Sequence, residues 1–293
     1  MKNTSLFHKP KFLGALSLTA LLATCAEIPY DKIASSRHVG DFLQKKGLGA
    51  LNPPTYGTGT FGRGRLNEPS GICWHAKRRT LFAVGDNGDI AEFRTDGSQV
   101  NFRHIPGANF EGITTIPSSG LLYGVTEGSD QIIEIHPETF ATMRRFSIPR
   151  TYRGRTVMAA GGNGVEGITF IPDPRHPQGG IFCVSNQGGT GNPQDEKGIF
   201  FVEIPVRTGG ASRIVGEIIP PVGDIAGLHY DQRSGRLYAI SDHKNTFLEY
   251  AASRKLIRTA PLPGRDQEGI AFDDAGNMYL AQDSGGIIKR RKP

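Results

Sequence analysis

Carboxylates recur along this chain at positions that repeat together with the pattern around them. Five segments open on a small or acidic residue, then Gly, then Ile or Leu: Ser70-Gly71-Ile72, Glu111-Gly112-Ile113, Glu166-Gly167-Ile168, Ala226-Gly227-Leu228 and Glu268-Gly269-Ile270. Each leads through a turn into a second apolar run that ends on a polar residue, at Asp86, Glu127, Asn186, Asp242 and Asp283. The interval from the glycine to that residue is 15, 15, 19, 15 and 14 residues. Acids gathered in one place repel one another, so such a group either keeps protons or takes up a cation. The set offers oxygen alone, with no Cys and no paired His, and oxygen donors select a hard ion. Ca²⁺, which takes about six to eight oxygen ligands, is therefore the expected cofactor, ahead of Mg²⁺ with its tighter octahedron. The expected metal ligands are Glu111, Glu166, Glu268, Asp242 and Asp283, with Glu68, Asp224 and Asp266 close enough in sequence to add to them. The competing reading is that these carboxylates cap turns by accepting backbone N–H bonds. It accounts for Asp86 or Asp283 readily and for three glutamates before glycine less well.

The elements that would bring these acids together follow from alternation of apolar and polar residues. A third strand continues each unit (DIAEFRT, QIIEIHP, GIFFVEIP, TFLEYAA, IIKRRKP), and a fourth follows in four of them (VNFRHIP, TMRRFSIP, RIVGEIIP, LIRTAPLP). Four antiparallel strands repeated in this way make a propeller blade. The fifth unit ends after its third strand at Pro293, and Thr55 to Phe61, TYGTGTF, is the expected donor of its outer strand. Such a clasp leaves no long unpaired edge. The fold expected is all-β, a single propeller of five four-stranded blades closed by an N-terminal strand. The alternative is six blades, which needs about forty residues from the poorly patterned stretch between Glu27 and Leu66. First strands line a propeller's channel, and their starts share a face with the ends of the second strands. The repeated acids are thus expected at one mouth.

Composition agrees with many short strands: 39 Gly and 19 Pro in 293 residues leave little room for long helices. Ahead of the repeats, Lys2, Lys9 and Lys11 lead into an apolar run from Phe12 to Ala23, the pattern of a secretory signal. That run is too short for a comfortable membrane span of about 20 residues. Leu22-Ala23-Thr24-Cys25 resembles a lipobox, with Thr24 departing from the usual small residue, so Cys25 is the expected lipidation site and cleavage after Ala26 the alternative. The organisation expected is a signal peptide over 1–25, a tether over 26–54 with a short helix near Phe42 to Lys46, and the propeller over 55–293. Both readings of the leader place the domain outside the cytoplasm, in the envelope or periplasm, and lipidation of Cys25 would add a lipid anchor to a membrane. Cys73 and Cys183 lie in apolar runs of different repeats and read as buried, unreactive thiols, with a single disulfide as the alternative. The net charge of +6, including Lys289 to Lys292, Arg78-Arg79 and Arg144-Arg145, reads as a solvated outer surface facing an anionic membrane; no nucleic-acid partner is expected.

Two further stretches fall beside the acidic mouth. Gly188 to Gly198 lengthens one loop, as a lid, a partner-binding loop or a tolerated insertion, and the loop from Arg150 to Gly164 brings Arg150, Arg153 and Arg155 where an anion could be received.

The EGI and SGI strand starts, with NFEGITTIPSSGLLYGVTEGSDQIIEI, DIAGLHYDQRSGRLYAISDHKNTFLEY and DQEGIAFDDAGNMYLAQD, resemble the SdiA-regulated family of bacterial proteins, also called YjiK/CarP-like, over about Pro69 to Arg290. The resemblance implies a propeller associated with the bacterial envelope and linked to calcium, without an established catalytic activity. Ser70 and Ala226 depart from the glutamate pattern, against a fully symmetric site. The function expected is a calcium-binding propeller that acts as a binding or calcium-response protein, with an unidentified protein or small molecule as partner. The alternative is a calcium-dependent hydrolase of phytase-like or lactonase-like type, in which calcium would polarise a phosphoryl or lactone oxygen. It would draw on Lys244, Arg265 and the Arg150 to Arg155 loop, or on His243 as base, and the chain has no Ser-His-Asp spacing, phosphate-binding Gly loop or zinc motif.

Overall fold

In the computed structural model, residues 60–61, 66–158, 164–188, 196–262 and 264–291 are described, and all belong to one unit, Pro53–Pro293. The leader, Cys25, the tether and its expected helix lie outside the described residues.

Five four-stranded antiparallel sheets follow one another along the chain. The first is β2 (Pro69–His75), β3 (Thr80–Gly85), β4 (Asp89–Phe93) and β5 (Gln99–His104). The second is β6 (Phe110–Thr115), β7 (Leu122–Thr126), β8 (Gln131–Ile135) and β9 (Thr142–Ser147). A short hairpin, β10 (Thr151–Tyr152) and β11 (Arg155–Thr156), precedes the third, β12 (Val165–Pro172), β13 (Gly180–Asn186), β14 (Gly198–Glu203) and β15 (Arg213–Ile218). The fourth is β16 (Ile225–Asp231), β17 (Arg236–Ser241), β18 (Thr246–Tyr250) and β19 (Leu256–Pro261). The fifth takes β20 (Gln267–Phe272), β21 (Asn277–Gln282) and β22 (Ile287–Arg291) from the end of the chain and β1 (Thr60–Phe61) from before the first blade. Thr60 pairs with Ile288 and Phe61 with Ile287, so the N-terminal segment closes the ring as its sequence led one to expect. The architecture is a five-bladed propeller with no helix among the described residues.

Burial runs in a gradient from axis to rim. The first three strands of a blade are nearly all buried, as in β3 and β4, whereas β5 and β9 are mostly exposed. Five apolar clusters hold the ring together, each spanning two neighbouring blades. One joins Tyr123 and Val125 to Phe170, Phe182 and Phe200, and another closes the circle by packing Leu81 and Phe93 against Tyr279 and Ile287. Each blade therefore covers its apolar faces only by having a neighbour on both sides, which is the physical reason a repeat of this kind must close.

Third strands also carry a recurrent charge. Glu92, Glu134 and Glu249 are buried, at 1, 1 and 7% exposure, and each is met by arginine. Arg78 reaches Glu92 at 2.8 Å, Arg144 clasps Glu134, and Arg236 and Arg258 hold Glu249 at 2.8 and 2.6 Å. The arginine pairs read from the sequence as solvated surface are thus corrected for Arg78 and Arg144, whose charges compensate buried carboxylates. Burial opposes ionisation of Glu134, but Arg144 and the Tyr123 hydroxyl, 2.7 Å away, hold its carboxyl below the usual range. Cys73 and Cys183 are both free and buried in separate clusters, and loss of solvent pushes their thiols well up, out of the reactive range.

Candidate functional site

The first strand of every blade shifts register at the residue before its glycine. The pairing jumps between Pro69 and Gly71, Phe110 and Gly112, Val165 and Ile168, Ile225 and Gly227, and Gln267 and Gly269. A bulge leaves its extra residue out of the ladder and re-aims its side chain. Here the re-aimed residues are Ser70, Glu111, Glu166, Ala226 and Glu268. The glycine next to each lies against the following blade's backbone. A Cβ on Gly71 would stand 2.7 Å from the Cα of Gly112, one on Gly112 2.5 Å from the carbonyl of Glu166, and one on Gly167 2.8 Å from that of Ala226. One on Gly227 would lie 2.7 Å from the carbonyl of Glu268, and one on Gly269 2.8 Å from the nitrogen of Ile72. Five glycines thus form a closed ring of backbone around the axis, a packing only a residue without Cβ permits.

A second repeated bond sets the outer acids. The N–H groups of Asp86, Glu127, Gln187, Asp242 and Asp283 donate to the carbonyls of Glu68, Asn109, Gly164, Asp224 and Asp266, at 3.4, 3.0, 3.1, 3.2 and 3.0 Å. Each acceptor is three residues before its ring glycine, and Glu68, Gly164, Asp224 and Asp266 hold φ at 45, 82, 57 and 56°. This register corrects the third repeat: Gln187, not Asn186, occupies the position of the outer acids. Asn186 is buried and donates from its side-chain amide to the carbonyl of Glu196 at 2.9 Å.

The acids converge: each is repelled by acids of other blades, and all but Glu166 by those of their own as well. Burial first, then Asp86, Glu127 and Asp283, push the Glu111 carboxyl up to about 8. Burial, then Asp242, Asp224, Asp283 and Asp86, bring Glu268 to about 8 as well. Glu166 is raised well above the ordinary range by burial and by Glu111, Glu268, Glu127 and Asp224. Asp86 is raised to about 6 by burial, Asp283 and Glu68 against its own N–H, and Asp242 is raised by burial, Asp224 and Asp266. All five expected ligands therefore share one mouth. Glu111 is buried there, Glu166, Glu268 and Asp242 are half-buried, and Asp283 is exposed. No Lys, Arg or His pairs with any of these groups among the described residues.

Partners that sequence reasoning missed are polar and neutral. The Ser70 hydroxyl donates to Asp86, Asn109 donates to Glu127 at 2.8 Å, and Gln187 donates to Asp224 at 2.8 Å. At the throat, Ser70, Glu111 and Glu268 border a cavity of about 10 Å³ beside the ring glycines, room for about one water. Among the described residues, no three carboxylate, imidazole or thiol groups stand in an arrangement that already ligates an ion.

The basic loop does not offer its arginines to an anion. Arg150 is bound to Asp130, Arg155 is clamped between Glu196 at 2.6 Å and Glu217 at 3.0 Å, and Arg153 lies over the Tyr152 ring. Through Arg155 and the bond from the Glu196 N–H to the Val157 carbonyl, the returning end of the Gly188 to Gly198 insert is fixed to the entrance of the third blade. Residues 189–195 lie outside the described residues. His243 and Lys244 are exposed at a loop tip, and the His243 N–H donates to Asp224 at 3.1 Å.

In three dimensions the chain is similar to the crystal structure of Myxococcus xanthus glutaminyl cyclase, with a TM-score of 0.55, 13% identity, and 80% of this chain and 94% of that chain covered. A structure of a nidogen/laminin complex is similar over 72% of this chain and 71% of that one, at 13% identity and a TM-score of 0.47. At 13% identity the likeness to the cyclase speaks for the fold alone. No curated protein matches the chain at a significant level. Residues 217–284, which carry the fourth blade and the acid-bearing strands of the fifth, match the SdiA-regulated family, the family that the repeats resemble.

Proposed function

We propose that the acidic mouth binds a hard divalent cation, calcium before magnesium, and that the protein acts in the cell envelope as a non-catalytic binding or calcium-response propeller. One observation carries this reading: Glu111, Glu166 and Glu268 lie together, withdrawn from water, with no cationic side chain among the described residues to balance them. By contrast, Glu92, Glu134 and Glu249, buried in the third strands, each have an arginine, and buried Asp273 accepts hydrogen bonds from Asn277 and Tyr279. The donor set fits the ion, being oxygen throughout. Glu111, Glu166 and Glu268 would hold it from the throat, and Asp242 and Asp283 from the rim. Bound calcium supplies the positive charge that lets these carboxyls ionise at neutral pH. Since no three acids already stand at ligating distance, binding requires the glutamate side chains to turn toward one another. Export and a lipid on Cys25 belong to the same proposal and rest on the leader's sequence.

Thermal unfolding of the propeller at pH 7.5, in chelator and then in millimolar calcium or magnesium, tests the reading. Calcium is expected to raise the Tm, by an amount equivalent to about 3 kcal/mol at a hundredfold excess over Kd. The increment should be smaller with magnesium and nearly absent in Glu166→Gln. An unchanged Tm with no calcium heat in calorimetry would refute it.

A further inference from the structure

The axis has a second opening, at the far end of the first strands, and its chemistry is the opposite of the acidic mouth. A cavity of about 240 Å³ lies where β2, β6, β12, β16 and β20 end. The glycine ring, with room for about one water, separates the two openings. Trp74, Tyr230 and Phe272 bring aromatic surface to the wall, Thr114 a hydroxyl, and Asp231 and Arg233 stand on the rim.

One donor here is not matched within the protein. The indole N–H of Trp74 is buried and has no acceptor among the described residues. Thr114, 7% exposed, lies on the wall beside it. Buried donors of this kind are rare, and a ligand or water is the usual reason for one. Charge at this opening is mixed. Asp231 accepts from the Ser234 hydroxyl at 2.8 Å and from the Arg233 N–H at 2.9 Å. Arg233 in turn donates to the Asp274 carbonyl at 3.1 Å. An ion of either sign would meet its like here, since Asp231, Asp273 and Asp274 line the cavity together with Arg233 and Lys77. The remaining class is a neutral molecule with both donors and acceptors, small enough for a site below the usual pocket size of about 300–1,000 Å³.

We infer that this second mouth is a binding site for a single neutral, polyhydroxylated ring, a monosaccharide or the terminal sugar of a longer chain. Such a ring presents C–H faces that lie against aromatic side chains and equatorial hydroxyls that both donate and accept. Trp74, Tyr230 and Phe272 provide the faces. Thr114, the indole N–H, Asp231 and Arg233 provide the hydrogen bonds. The site shares no residue with the acidic mouth, so it stands or falls separately from the cation reading.

Trp74 is the only tryptophan in the chain, which makes the pocket its own reporter. Intrinsic fluorescence of the propeller, titrated separately with glucose, galactose, mannose and N-acetylglucosamine to tens of millimolar, is expected to show saturable change with at least one of them. Affinity should fall at least tenfold in Thr114→Val and in the surface variant Arg233→Ala, be retained in Thr114→Ser, and be unaltered by chelator or by Glu166→Gln. Each variant's Tm establishes that it is folded. No saturable response to any of the four sugars overturns the inference. So does a response confined to glutamate or putrescine as charged controls, or one that persists undiminished in both Thr114→Val and Arg233→Ala.

Discussion

Replacing Glu111 by glutamine should stabilise the metal-free propeller at neutral pH, which is the reverse of what altering a buried side chain usually does. Glu111 is 8% exposed and carries no compensating cation among the described residues. Its carboxyl ionises in the unfolded chain near 4.5 but in the folded protein only at about 8. Between those values the folded state holds a proton that the unfolded state has released, so stability falls as pH rises from about 4.5 to about 8. At pH 7 the gap spans about 2.5 pH units, and at about 1.4 kcal/mol per unit it sets an upper bound of about 3.5 kcal/mol. Solvent entry and side-chain relaxation bring the working figure to about 2 kcal/mol. Glutamine cannot ionise, so Glu111→Gln should gain that amount at pH 7 and nothing at pH 4, a Tm rise of about 4–8 °C for a domain of this size. Differential scanning calorimetry in chelator from pH 4 to pH 8.5 measures it. Saturating calcium should invert the order, because the variant has lost a ligand and the parent its repulsion. A variant less stable than the parent at pH 8 without metal, or a difference that does not move with pH, would refute the electrostatic account of the mouth.

Three other perturbations separate the ring from the mouth. Gly112→Ala places a Cβ 2.5 Å from the Glu166 carbonyl, with backbone rather than a yielding side chain in the way. It should cost about 3 kcal/mol in urea unfolding, whereas Gly209→Ala, whose Cβ meets nothing within 4 Å, should be neutral or slightly stabilising. Tyr123→Phe removes the hydroxyl that donates at 2.7 Å to the buried Glu134 carboxylate. The expected loss is about 1.5–3 kcal/mol, read from the shift in urea midpoint at constant m. Deleting residues 53–61 uncovers the edge of β22 at Ile287 and Ile288. The truncated chain should have a lower Tm and form concentration-dependent oligomers in light scattering.

The ring was legible because its signal is repeated and local. A glycine before an apolar residue, recurring five times at nearly constant distance from a polar strand end, admits few arrangements other than blades. Even the clasp could be anticipated, since the fifth unit runs out of chain one strand short. What could not be read was the alignment inside the third repeat. There a longer first strand and a longer connection made Asn186 look equivalent to Asp86, when the carbonyl of Gly164 selects Gln187. Arginine partners were equally hidden. Arg144 and Arg145 are alike in sequence, and only the side of the outer strand that faces β8 determines that Arg144 meets Glu134. The second mouth left no trace either, because Trp74, Thr114 and Tyr230 lie far apart in sequence, in strands that read simply as core.

Closure of the ring and charge at its mouth come from the same backbone device. The bulge that lets each glycine approach the next blade also frees the preceding residue from the ladder, so whatever stands there is delivered to the throat. Serine at 70 and alanine at 226 keep the device without the charge, which shows that the bulge does not require a carboxylate to form. Glutamate at 111, 166 and 268 is then not explained by folding, and folding is the poorer for it, since each is raised in pKa by burial and by its neighbours. Ser70 is followed by Asp86, to which it donates, and Ala226 is flanked by Asp224 and Asp242, so the blades that lack the inner acid still present an outer one. Charge at the mouth thus comes from all five blades, while the inner acids come from only three. A ligand that balanced it would meet unequal donors around a symmetric ring, which suits an ion of adaptable coordination far better than one that demands an octahedron.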